Sequence, residues 1–213
     1  MCALRHLERV SLVGWSLGGP RAGGYAALHP EKVDKLVLLA PAYNRAAPTS
    51  PQTPLPEPGY AMDIGSRQGL EASWDSQVRR ADQFDPRIRD VLWAELLGSD
   101  PVGVGWGPGV WRAPRWSGFP EGVTWGWNAE RAARVQASTL LISGEWDQTV
   151  PQRDVQDLYE DLRTPHKLFI DLAYTSHFAI WEARHQTLLQ ASLEWLTQGS
   201  VRGMKAGSLR LGA

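Results

Sequence analysis

Residues 10–20, Val-Ser-Leu-Val-Gly-Trp-Ser-Leu-Gly-Gly-Pro, constrain the fold of this chain more than any other stretch. An apolar run ends in Gly14-Trp15-Ser16-Leu17-Gly18 and leads into a helix-like segment, which is the pattern of a strand, a tight turn and a helix. A serine with a glycine two residues away on either side fits a nucleophile elbow. There a strained turn, relieved of crowding by Gly14 and Gly18, pushes the hydroxyl into the open. Such a pentapeptide arises by chance in roughly one chain in ten of this length. Its weight therefore depends on what surrounds it.

The surroundings repeat one theme. Leu4 and Leu7 read as the last turns of a helix feeding the strand Val10 to Val13, and residues 16–29 read as a helix closed by His29-Pro30. In that helix Gly23 and Gly24 allow close backbone approach to a sheet. Lys35 to Ala40 is a continuous apolar run of strand length, as expected of a strand buried on both faces of a parallel sheet. Ser138 to Ser143 repeats that pattern, followed by the loop 144–151 and a helical stripe of Val155, Leu158, Tyr159 and Leu162 behind Pro151. A strand over His166 to Asp171, a loop over Tyr174 to His177 and a long helix over 179–196 complete the series. The tail from Gly199 has little apolar content and reads as frayed.

Between these blocks the character changes. Prolines 48, 51, 54, 56 and 58 mark an extended linker. Leu70, Trp74 and Val78 predict one amphipathic helix after Ser66, and Ile88, Val91, Leu92 and Leu96 a second, opened by Asp85-Pro86. Residues 98–127 are rich in Gly, Pro and Trp, lack a period and read as a loop. The lobe 45–135 holds seven of the eleven tryptophans.

Strands alternating with helices predict a doubly wound, mostly parallel α/β sheet, whose ligands bind beyond the carboxyl ends of the strands. Those ends carry Ser16, Asp147 and His177, in that chain order. Other chemistries find little support. The net charge of −1 leaves no basic face for nucleic acid, and the single Cys2 permits neither a disulfide nor a cysteine metal cluster. No run approaches membrane-spanning length and no signal-type h-region opens the chain, so a cytoplasmic protein is expected.

The elbow 14–18, the segment Leu141-Ile-Ser-Gly-Glu-Trp-Asp147 and Thr175-Ser-His177-Phe together resemble the α/β-hydrolase superfamily over residues 4–44 and 136–197. The resemblance implies a serine hydrolase of carboxylic esters working through an acyl-enzyme without cofactor or metal. Ser16 would be nucleophile, His177 general base, Asp147 the orienting carboxylate and the Leu17 N–H an oxyanion donor. Glu145 and Asp171 remain alternatives for the acid, and His6, His29, His166 and His185 compete less well with His177. Trp15, Trp146 and Trp181 lie beside the candidates and either line an acyl pocket or pack the core. The substrate class is a small ester, with residues 45–135 as an inserted helical cap over it.

The family sheet has further strands before the elbow, and a loop after one of them supplies the second oxyanion donor. The expectation is therefore that only the C-terminal half of the fold is present, with the first strand as an exposed edge open to self-association. The competing expectation is an impaired remnant that serves as an interaction module.

Overall fold

The computed structural model describes residues 6–49, 63–107, 109, 111–113 and 127–213. Five parallel strands form one sheet in the order β1-β2-β5-β6-β7: β1 Val10–Trp15, β2 Val33–Leu39, β5 Ser138–Gly144, β6 Lys167–Leu172 and β7 Gly207–Leu211. β2 and β5 are buried along nearly their whole lengths, so both of their faces need cover. One layer consists of α1 (Gly18–Leu28), α4 (Ala129–Ala132) and α5 (Gln152–Asp161), which pack on one another, while α6 (His185–Gln198) lies across β2 and β5. Leu36, Leu38, Leu140, Leu141, Ile142, Leu168, Ile170 and Trp195 are fully buried between them.

The register brings the carboxyl ends of the strands level. Trp15 pairs with Leu39, Leu39 with Ile142, Ile142 with Ile170, and Leu172 with both Gly144 and Leu211. Whatever follows β1, β5 and β6 therefore emerges on one rim.

The inserted segment contributes β3 (Asp63–Gly65), α2 (Arg67–Asp75), α3 (Arg87–Ser99) and β4 (Trp111–Ala113). Ser66 caps α2, its side chain accepting from the Gly69 N–H at 3.1 Å. β3 and β4 pair antiparallel, so residues 98–127 are not simply loop; the rest of that stretch lies mostly outside the described residues, as do prolines 51 to 58. Trp127 and α4 belong to the main core rather than to the insertion, and Trp127 stands edge-on to Tyr43 at 5.9 Å.

Four expectations need correction. The tail is not frayed: Gly207–Leu211 is a fifth parallel strand on β6, with Leu211 buried and its carbonyl accepting from the Ala173 N–H at 2.8 Å. Residues 179–196 are not one helix but a single 3-10 turn over Ala179–Trp181 followed by α6, because Glu182 turns inward between them. Leu7 lies in irregular chain, not a helix, and Leu4 falls outside the described residues. In α1, Gly23 rather than Gly24 is sterically required, since a Cβ on Gly23 would lie 2.4 Å from the Trp127 ring, whereas Gly24 faces open space. No helix among the described residues is long and apolar enough to cross a membrane.

Candidate active site

At the turn between β1 and α1, Ser16 holds φ at +52°, a left-handed value that a side chain adopts only under constraint. Three main-chain bonds fix it there. The Ser16 N–H donates to the Leu39 carbonyl at 2.9 Å, and the Ser16 carbonyl accepts from the N–H groups of Gly19 at 2.9 Å and Ala42 at 3.1 Å. A Cβ on Gly14 would lie 2.5 Å from the Gly18 carbonyl oxygen, and one on Gly19 would lie 2.4 Å from the Pro41 side chain. Gly18 itself has open space, so the second glycine the turn demands is Gly19 and not Gly18. Leu17 is the N-cap of α1 with its N–H unbonded among the described residues, which leaves a donor at a helix N-terminus beside the serine.

Asp147 and His177 meet on the same rim. His177 Nδ1 and Asp147 Oδ2 are 2.9 Å apart, and both side chains are buried. The other oxygen of Asp147 accepts from the Thr149 and Val150 N–H groups, each at 2.8 Å. The carboxylate is therefore held at both oxygens, with one edge reserved for the imidazole. This fixes the tautomer: Nδ1 carries the proton toward Asp147 and leaves Nε2 to accept. Ser16 and His177 are not hydrogen-bonded to each other in this state, as is common before substrate binds.

The competing residues are otherwise engaged. Arg210 of β7 bonds both Asp171 and Glu145, the latter at 2.8 Å, and Glu145 also accepts from the Tyr174 N–H at 2.9 Å. Those contacts hold the Glu145 carboxyl below its usual range, the Tyr174 N–H contributing most. Neither acid faces His177. Among the histidines, His185 Nδ1 sits 2.7 Å from the Glu182 carbonyl, His29 rests against Tyr25, and His6, His29 and His166 are exposed.

With this geometry in hand, the comparison with known proteins is decisive: residues 3–184 match the family described as alpha/beta hydrolase fold. The chain belongs to that family. A protein of Bacillus subtilis (strain 168) that carries the provisional name 2-succinyl-6-hydroxy-2,4-cyclohexadiene-1-carboxylate synthase is 28% identical over 156 residues, 67% of this chain and 50% of that protein. The chain thus spans half the length of that curated relative. Among solved structures, a serine hydrolase involved in carbazole degradation (CarC) superposes with a TM-score of 0.58 at 18% identity, covering 89% of this chain and 64% of that one. A monoacylglycerol lipase of Paleococcus ferrophilus gives 0.51 at 20% identity, covering 91% of this chain and 70% of that one. At such identities these likenesses establish the fold alone.

Around the hydrolase rim, two of the three singled-out tryptophans gather and one does not. The Trp15 ring lies 5.4 Å from that of His177, and its Nε1–H donates to the His177 carbonyl at 3.1 Å. Trp181 stands edge-on to Trp15 at 5.0 Å. Trp146 turns away, its ring against Tyr174 at 5.6 Å. The inserted segment reaches the same place: Trp74, fully buried, stacks on Phe178 at 5.0 Å and lies 6.0 Å from Trp181.

Several polar residues at this rim gave no sequence signal. Gln77, just beyond α2, accepts through Oε1 from the N–H groups of His177 and Gln148, at 3.1 and 3.2 Å. Its Nε2 donates to Thr149 Oγ1 at 2.9 Å. Glu182 accepts from the Ser176 N–H at 2.8 Å, the Ser176 hydroxyl at 2.5 Å and Gln83 Nε2 at 2.8 Å. Burial pushes the Glu182 carboxyl above its usual range, against the pull of those donors. A lone glutamine between helices has no distinctive spacing, so nothing in the primary structure could have picked it out.

Proposed function

We propose that this α/β-hydrolase is a serine hydrolase of carboxylic esters with small or medium acyl groups, working through an acyl-enzyme. Ser16 Oγ attacks the ester carbonyl while His177 Nε2 takes its proton, and the tetrahedral oxyanion forms toward the Leu17 N–H. The imidazolium, steadied by Asp147, then protonates the departing alkoxide, leaving Ser16 acylated. Water, deprotonated by the same imidazole, attacks the acyl group and releases the acid and the free serine.

The observation that carries this reading is the buried His177–Asp147 pair at 2.9 Å on the rim where Ser16 sits at positive φ. Trp15 and Trp181 would line the acyl side, with residues 66–100 as the cap. The chemistry needs neither cofactor nor metal. The family membership and neighbours named as a serine hydrolase and a lipase are in keeping with it.

A fluorophosphonate probe tests it: Ser16 should be labelled in the wild type and in no Ser16→Ala sample. An unlabelled wild type, under conditions where a control esterase reacts, would overturn the proposal. A second reading, an interaction module without turnover, draws on the edge of β1 that no strand among the described residues covers, and a labelled, ester-cleaving chain would exclude it.

A further inference from the structure

We infer that Gln77 is the positioning residue that locks the histidine loop to the acid loop, so that the inserted segment is part of the scaffold of the site as well as its cover. The inference rests on the reading of Ser16, Asp147 and His177 as a triad.

Gln77 is 2% exposed and contributes both ends of its amide to the two loops. Its Oε1 receives the main-chain N–H of His177 itself and that of Gln148, the residue after Asp147. Its Nε2 binds the hydroxyl of Thr149, whose own N–H holds Asp147 Oδ1. The amide orientation follows from its partners, because a flipped Gln77 would set an NH₂ group against two N–H donors. No main-chain carbonyl among the described residues takes the place of that oxygen for either N–H. The distance between the base and its carboxylate is therefore set partly by a side chain from a different part of the chain.

The segment is anchored on both sides of this contact. Trp74, three residues earlier, stacks on Phe178, the residue after the base. Gln83, six residues later and also buried, donates to the Gln77 carbonyl at 3.3 Å and to Glu182 at 2.8 Å. Glu182 in turn holds Ser176, the residue before the base. The Gln83 carbonyl accepts from the Ala183 N–H at 2.7 Å. Residues 74–83 thus grip 176–183 through Trp74, Gln77 and Gln83, and of these Gln77 reaches across to 148 and 149.

Loss of the Gln77 oxygen strands the buried N–H of His177 and frees the part-buried N–H of Gln148, one on each loop, and the histidine loop must shift to find another partner. A displacement of about 1 Å at the base is enough for an effect on the order of 10²-fold in rate. Because Gln77 touches no substrate in this scheme, the effect should fall on kcat and not on KM.

The experiment compares wild type, Gln77→Met, which keeps length and volume without the acceptor, and Gln77→Glu, which keeps an acceptor while the Thr149 hydroxyl turns to donate. Hydrolysis of p-nitrophenyl acetate and the downfield proton signal of His177 Nδ1–H are both read. The expected result for Gln77→Met is a kcat lower by on the order of 10²-fold at unchanged KM, with the downfield proton shifted or lost. Gln77→Glu should restore most of the rate and the signal. Gln77→Met with wild-type kcat and an unmoved proton signal would overturn the inference. So would a Gln77→Glu protein that folds yet is as impaired as Gln77→Met. If the wild type fails to label at Ser16, the proposed function falls by itself; the proton signal then still decides the role of Gln77, since the His177–Asp147 bond exists whether or not Ser16 reacts.

Discussion

At the scale of single residues, Asp147 shows how completely one side chain can be committed. One oxygen takes two main-chain N–H groups and the other faces His177 Nδ1. Asparagine at this position would keep its carbonyl oxygen on Thr149 and Val150, and its NH₂ would then meet Nδ1. The imidazole would have to accept there and carry its proton on Nε2, the wrong tautomer for a base. Asp147→Asn should therefore fold nearly as the wild type but lose about 10⁴-fold in kcat on an activated ester. Glu145→Gln and Asp171→Asn, which disturb the Arg210 pairings, the Tyr174 N–H on Glu145 and the Gln152 amide on Asp171 but no bond to His177, should leave the rate close to wild type. Steady-state kinetics on the three variants checks this, and an unimpaired Asp147→Asn would return the acid to one of the other two. Ser16, Asp147 and His177 were legible in the sequence because each follows a strongly apolar strand. Gln77 and Glu182 were not, because their importance lies in loops that meet only in the folded chain.

Elements follow the same division. β2 and β5 could be read directly, since a strand buried on both faces must be apolar throughout. β7 could not: Gly-Ser-Leu-Arg-Leu offers only two apolar residues, and its strand character comes from pairing with β6, a contact with a residue far back in the chain. Leu211 is the test of how much that strand contributes. It is 3% exposed within the main core, so Leu211→Ala should lower unfolding free energy by about 2–4 kcal/mol, seen as a reduced urea midpoint. A change within error would mean that β7 adds little. The break between the 3-10 turn and α6 was hidden for a similar reason, as the apolar stripe runs on through it while Glu182 is drawn inward by Ser176 and Gln83.

In the inserted segment, Asp100 ties the end of α3 to β4. Its carboxylate accepts from Arg112 Nε at 2.8 Å, from the Arg112 N–H at 2.9 Å and from the Gly103 N–H at 3.2 Å. The Arg112 guanidinium foremost, with those N–H groups, holds its pKa down to about 2. A depressed carboxylate contributes stability that is in place above the ordinary aspartate value of about 3.9 and disappears as pH falls through the folded value. Protection of the Arg112 amide from hydrogen exchange, corrected for intrinsic rates, should therefore persist below pH 4 and be lost as pH falls through about 2. Asp100→Asn should show the loss already at neutral pH. An Arg112 amide that stays protected in that variant would assign the order of this segment to something other than the pair.

For the molecule as a whole, the unresolved tension lies at β1. This strand carries the serine, yet it pairs only with β2, and no strand among the described residues covers its other side. Its burial alternates, with Val13 at 65% exposure, whereas β2 beside it is almost wholly buried. An unpaired, apolar, parallel edge offers a row of free N–H and C=O groups to any strand that arrives, and proteins blunt such edges with charge. Leu7, half exposed just before the strand, extends the apolar margin. The expected outcome is concentration-dependent association of the 213-residue chain, measured by light scattering or sedimentation. Val13→Lys should shift it toward monomer, since the added ammonium would have to be buried against a second copy. The substitution lies two residues before Trp15 on a side chain that faces solvent, so esterase activity per folded chain should be retained. A wild type that stays monomeric at high concentration would show that this edge does not pair with a second copy. Association that Val13→Lys leaves untouched would place the contact elsewhere, with Leu189 and Leu193 on the outer face of α6 the next surface to charge.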